Sequence, residues 1–277
     1  MTKEPVHVFL GDLHAGSKLA PLVPFTDVDG VQYAPSKLQA FLLTLWRDAL
    51  TDVKAAARGC EVVLHLGGDL VDGVGHHGTT QTVLDWNGQR DLAVELLRPW
   101  VNIASQGYGL LGTDAHVGDN GQQDTSVCKE LGFPSKGYWR LESEGRVLDW
   151  AHHIRGNRRK PERMLLAEAE RITDDIAKRN RQFPDAPERY PDLIVRHHAH
   201  VHGVTRHEGT QALAVPGWQA QTSFTRRLEP AGLLDVGVGL WWPKRDAAKA
   251  LPYSFPAEPI VKVKIAKQSQ SVTSAAA

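Results

Sequence analysis

Five short apolar runs in this chain each give way to glycine, aspartate or histidine. Residues 6–10 lead into Gly11-Asp12-Leu13-His14, and residues 61–66 lead into Gly67-Gly68-Asp69. Residues 109–111 precede Gly112-Thr113-Asp114-Ala115-His116. The run over 146–152 ends on His152, and residues 193–195 precede His197-His198-Ala199-His200. Apolar stretches this short, bounded by turn residues, read as buried strands. Between the first three lie two helical patterns. One starts at the cap Ser36 and runs to about residue 57, with Leu38, Phe41, Leu42, Leu45, Trp46 and Leu50 on one face; the other covers 89–105. Strand, helix, strand, helix, strand predicts an α/β sheet.

Beyond that unit, residues 138–142 and 146–152 read as paired strands about the turn Ser143-Glu144-Gly145. A charged helix follows over 161–182, then strands at 193–195, 212–215, 233–242 and 260–265. No repeat or linker divides the chain, so residues 1–266 are expected to form one domain, with a disordered Ser/Gln/Ala-rich tail over 267–277.

Strand ends are where open α/β sheets gather their ligands. Asp12 and His14, two apart in a loop, can both face one point. The glycines before Asp69 permit a tight turn that aims it out of the sheet end. The chain holds 13 histidines, most of them at or just after these strand ends. Aspartate and neutral imidazole, without cysteine, suit catalytic Mn, Fe, Zn or Ni rather than a structural zinc. Cys60 and Cys128 form no metal or redox motif, which fits two buried thiols in a reducing, cytoplasmic compartment. No apolar stretch approaches membrane-spanning length.

GDLH, GGDLVDG, GTDAH, AHH and HHAH, in that order, resemble the motif series of the calcineurin-like metallophosphoesterases. The match spans roughly residues 6 to 202. Each motif alone is weak, but five in order after strand-like runs are fairly specific. The resemblance implies a four-layer α/β/β/α sandwich of two mixed sheets flanked by helices. It also implies two divalent cations, Mn²⁺ first, with Fe, Zn, Ni or Mg as alternatives. Asp12, His14 and His200 would hold one cation, His152 and His198 the other, and Asp69 would bridge them. Asp72 would orient a ligand.

The chain departs from the series twice. Where the family has Asn-His, this sequence has Gly112-Thr113-Asp114-Ala115-His116, so Asp114 is expected as the oxygen ligand and His116 as the catalytic imidazole beside the leaving oxygen. His197 replaces a usual glycine and leaves open whether His198 and His200 or His200 and His202 form the final pair; the count from Asp192 favours the former. His153 competes with His152 for one role.

The expected activity is metal-dependent hydrolysis of a phosphate ester. Arg155, Arg158, Arg159 and Lys160 form a basic cluster after His152, in which Arg155 and Arg158 could hold a phosphate, and Trp218 could stack on a base. They favour a phosphodiester of DNA or nucleotides over a phosphomonoester. Lys+Arg and Asp+Glu are both 32, so net charge gives no support for unaided tracking along DNA. A metal-binding scaffold without turnover is the rival from a different class.

Overall fold

The short apolar runs do become adjacent strands. A computed structural model describes residues 3–27, 29–74, 83, 85–156, 160–221 and 235–255. In chain order the strands are β1 (Pro5–Leu10), β2 (Phe25–Thr26), β3 (Gln32–Tyr33), β4 (Glu61–Leu66), β5 (Gln106–Leu110), β6 (Ser135–Lys136), β7 (Tyr138–Ser143), β8 (Arg146–Ala151), β9 (Leu193–Arg196), β10 (Gly203–His207), β11 (Thr210–Ala214), β12 (Val236–Trp242) and β13 (Ala247–Tyr253). The α-helices are α1 (Lys37–Ala56), α2 (Trp86–Val101), α3 (Asp114–Val117), α4 (Gln122–Glu130) and α5 (Pro161–Gln182).

Two mixed sheets result. One has the order β13-β12-β1-β4-β5-β6, parallel from β1 to β6 and antiparallel at β12 and β13. The other has the order β10-β11-β9-β8-β7, with a parallel centre and antiparallel edges.

Strand alternation sets the layers. Val6, Val8 and Leu10 of β1 pack with Leu42 and Trp46 of α1 and Leu92 and Leu96 of α2. Phe9, on the opposite face of β1, packs with Leu148 and Trp150 of β8 and Leu193 and Val195 of β9. Ile194, between those last two, turns away to meet Leu165, Ala169, Ile172 and Ile176 of α5. Three apolar cores between four layers make the α/β/β/α sandwich.

The helices start where their caps dictate. Ser36 forms a capping box with Gln39, and the Asp85 carboxylate accepts from the Gly88 N–H. That second cap starts α2 at Trp86, three residues before the sequence pattern, and lets β5 begin at Gln106. Strands β10 and β13 and helix α4 were not legible in the sequence. The strand expected at 260–265 and the tail lie outside the described residues. No helix among the described residues is long and apolar enough to cross a membrane.

Candidate metal centre

The loops after β1 and β4 continue side by side past the sheet edge. Asp12 N–H donates to the Gly68 carbonyl at 2.9 Å, His14 N–H to Asp69 at 2.9 Å and Ala15 N–H to Leu70 at 3.0 Å. This pairing keeps Asp12 and His14 against Asp69. The loops after β8 and β9 are tied in the same way, by His197 N–H on the His152 carbonyl at 3.0 Å. Five residues of the site adopt left-handed backbone: Asp12, His14, Asp69, His198 and His200, with φ of 50°, 48°, 50°, 65° and 53°. Non-glycine residues seldom do so, and such conformations persist only where the surroundings hold them.

His197 resolves the register of the final histidines. Its ring turns inward beside Gly67, where an added Cβ would lie 2.2 Å from the imidazole. Its Nε2 accepts from Trp150 Nε1 at 3.0 Å. With His197 facing the core, His198 and His200 face the site, while His202 pairs with Asp235 at 3.1 Å.

Two groups of donors meet at the strand ends. In the first, His14 Nε2 lies 3.3 Å from His200 Nε2, which lies 3.3 Å from Asp12 Oδ1. In the second, His152 Nε2 lies 3.1 Å from Asp69 Oδ2. Asp12, Asp69 and His152 also come close enough to share one ion, which links the groups, and His153 stands with His152 and His198. Donors bound at about 2.0–2.2 Å to one ion lie about 2.8–3.6 Å apart, the range of these distances. Asp12 Oδ1 is buried without a hydrogen bond, the kind of orphan a cation would satisfy. The residues therefore fit a divalent metal centre.

The electrostatics agree. Burial alone would raise the Asp12 and Asp69 carboxyls; His200 beside Asp12, and His152 and His14 beside Asp69, hold both well below the usual range. Burial pushes His152 down, but the Asp69 charge and hydrogen bond outweigh it and bring the ring up to about 9. The His152 Nδ1 hydrogen bond to the Gly67 carbonyl, 2.7 Å, fixes the ring with Nε2 toward the carboxylates. Asp72 lies behind His14, with Oδ1 3.5 Å from His14 Nδ1.

The third motif differs from expectation. Asp114 begins the α3 turn, exposed, and joins none of the ligand groupings among the described residues. Thr113, one residue earlier, turns inward instead: its N–H donates to Asp69 Oδ1 at 2.6 Å, and its hydroxyl lies 3.2 Å from Asp69 Oδ2. Gly112 allows this approach, since a Cβ there would lie 2.2 Å from Asp69 Oδ1. Thr113 was missed, although Gly11-Asp12, Gly68-Asp69 and Gly112-Thr113 share one pattern, a strand-end glycine followed by an inward oxygen. Asp124 on α4 was missed as well. Its buried carboxylate accepts the N–H groups of Asp69, Leu70 and Gly112 at 3.1, 3.0 and 2.8 Å, clamping two site loops together. Burial and the Asp69 charge push it up to about 7.

His116 does reach the site: its ring meets His14 edge-on at 4.5 Å, and its Nδ1 donates to the Asp72 carbonyl at 2.9 Å. Arg155 is exposed, three residues beyond His152. Trp218 does not line the cleft. It is fully buried in the helix-side core, edge-on to Trp46 at 4.7 Å, because its large apolar ring packs where α1 meets the first sheet. Arg158, Arg159, His76 and His77 lie outside the described residues.

No family model matches the chain, and neither does any curated protein. Among solved structures, similarity is to a novel archaeal phosphodiesterase (8% identity, TM-score 0.44, covering 90% of this chain and 99% of that one). It extends to Vps29 from Cryptosporidium parvum (12%, 0.41, covering 92% and 100%). A third is Vps29 from Entamoeba histolytica complexed with Zn²⁺ (10%, 0.36, covering 91% and 99%). These are loose likenesses; the site stands on its own geometry.

Proposed function

We propose that this protein is a metal-dependent phosphoesterase with a two-cation centre, acting on a phosphodiester of a nucleotide or nucleic acid. The observation that carries the reading is the convergence of Asp12, His14, Asp69, His152, His198 and His200, from four strand ends, at ligand-to-ligand spacing. Two divalent cations held there would supply the Lewis acidity and activated water that phosphate-ester hydrolysis requires.

The chain's own groups do the rest. Asp69, at the junction of the two donor groups, would help to hold both cations. The Gly67 carbonyl orients His152, and Asp72 stands behind His14. His116 commits its Nδ1 proton to the Asp72 carbonyl, so it exchanges a proton with the leaving oxygen through Nε2. Arg155, exposed beyond His152, offers a guanidinium to a second phosphate or a backbone oxygen. With Trp218 in the core, base stacking by that ring forms no part of the reading.

The test is hydrolysis of bis-p-nitrophenyl phosphate and of p-nitrophenyl phosphate, each with Mn²⁺ and with EDTA. Metal-dependent turnover with diester preference is expected. Monoester preference would make the protein a phosphatase. Metal binding without turnover of either ester, or of DNA, would make the site a scaffold.

A further inference from the structure

The hydroxyl of Thr113 has more neighbours than one hydrogen bond can serve. Its Oγ1 lies 3.2 Å from Asp69 Oδ2, 3.3 Å from His152 Nε2 and 3.3 Å from His198 Nδ1. His152 Nε2 is in turn 3.1 Å from Asp69 Oδ2. A hydroxyl has one proton to donate. With His152 Nδ1 on the Gly67 carbonyl, Nε2 is the ring atom turned toward the cluster. A carboxylate oxygen, a hydroxyl oxygen and an imidazole nitrogen therefore converge within 3.3 Å of one another. One ion at the centre, about 2.0–2.2 Å from each donor, would satisfy all of them and give separations of about 2.8–3.6 Å.

The geometry points to a cation site completed by the Thr113 hydroxyl as its oxygen ligand, together with Asp69, His152 and His198. The assignment rests on the metal reading above and names a ligand which that reading lacks. The local chain supports it. The Thr113 N–H on Asp69 Oδ1 fixes the residue against the shared carboxylate. Asp124 holds the Gly112 and Asp69 backbones together, so the hydroxyl cannot withdraw without moving the Asp69 loop. Thr113 has no such tie to Asp12, His14 or His200 among the described contacts. Its loss should therefore act on one cation and spare the other.

The measurement is Co²⁺ titration of the metal-free full chain, followed by calorimetry and by visible absorption, which reports the coordination of each bound ion. Wild type is expected to bind two equivalents. Thr113→Val, which keeps the shape and removes the oxygen, should retain one tight equivalent and weaken the other, with a changed absorption band for that ion. Thr113→Ser should restore both. Two wild-type equivalents with an unchanged spectrum in Thr113→Val would overturn the assignment. So would equal weakening of both ions, since that would show the hydroxyl acting only by orienting Asp69. Loss of one ion in His153→Ala, with none in Thr113→Val, would give the ligand role to His153 instead. Wild-type protein that binds no Co²⁺ at all would overturn the metal reading itself, and the ligand assignment with it.

Discussion

Two sets of histidines in this molecule differ in the company they keep. His14, His152, His198 and His200 stand at the strand ends beside Asp12, Asp69 and Asp72. His7 and His65 lie between the sheets, 3% and 0% exposed, bonded to each other at 2.8 Å and stacked among Phe9, Tyr108 and Trp241. His7, His65, His14 and His152 are all out of water, while His198 and His200 are half-buried. Burial pushes His7 down to about 4 and His65 well below its ordinary value, so these rings pack as neutral aromatics. His152 is as deeply buried, yet Asp69 brings it up to about 9. Not every strand-end ring is lifted in this way, since burial leaves His14 lowered and brings His198 down to about 4; the Asp69 carboxylate sets His152 apart.

Removing that carboxylate's charge should break the contrast most severely. Asp69→Asn is expected to lower metal-dependent hydrolysis of bis-p-nitrophenyl phosphate by more than ~100-fold, beyond the ~10–100-fold typical of groups that only orient a ligand. The bound-metal content of the purified variant should fall with it. Near-normal turnover would refute the assignment.

A second test separates the sets by pH. A histidine depressed on folding contributes stability that is complete above its unfolded value near 6.5. That stability is lost as pH falls toward the folded value, here about 4 for His7. Urea unfolding of chelator-treated protein from pH 7 to pH 4 should show this loss. In His7→Phe the slope over that window should be shallower by up to about 1.4 kcal/mol per pH unit. Parallel curves would show that the inter-sheet pair does not titrate with unfolding.

The smallest effect concerns a residue the sequence placed at the cleft. Trp218→Phe should cost less than about 1.5 kcal/mol of stability, as near-conservative core changes do. It should leave kcat and KM for the diester unchanged. A raised KM would return the ring to the substrate.

The strand ends were legible because the chain must turn there, and glycine with aspartate or histidine marks the turn. The limits of α5 were readable from Pro161 to Gln182, since a proline opens the helix and its apolar stripe is regular. Thr113 was not readable as a site residue, because threonine is far commoner as a strand or cap residue than in a metal centre. Asp124 was hidden for a different reason. It acts across 55 residues on the backbone of Asp69, and no local pattern announces a side chain that binds a distant main chain. Trp218 misled because its position after the final histidines says nothing about which face of the loop its ring takes.

The left-handed backbone at Asp12, His14, Asp69, His198 and His200 carries a conflict of interest. Each such residue costs about 1–3 kcal/mol relative to a relaxed conformation, and glycine at any of them would relieve the strain. It would also delete a donor. Selection for thermal robustness alone, in medium stripped of divalent cations, would therefore be expected to collect glycines at these five positions. The variants that melt highest in that medium would be the ones least able to take up an ion afterwards.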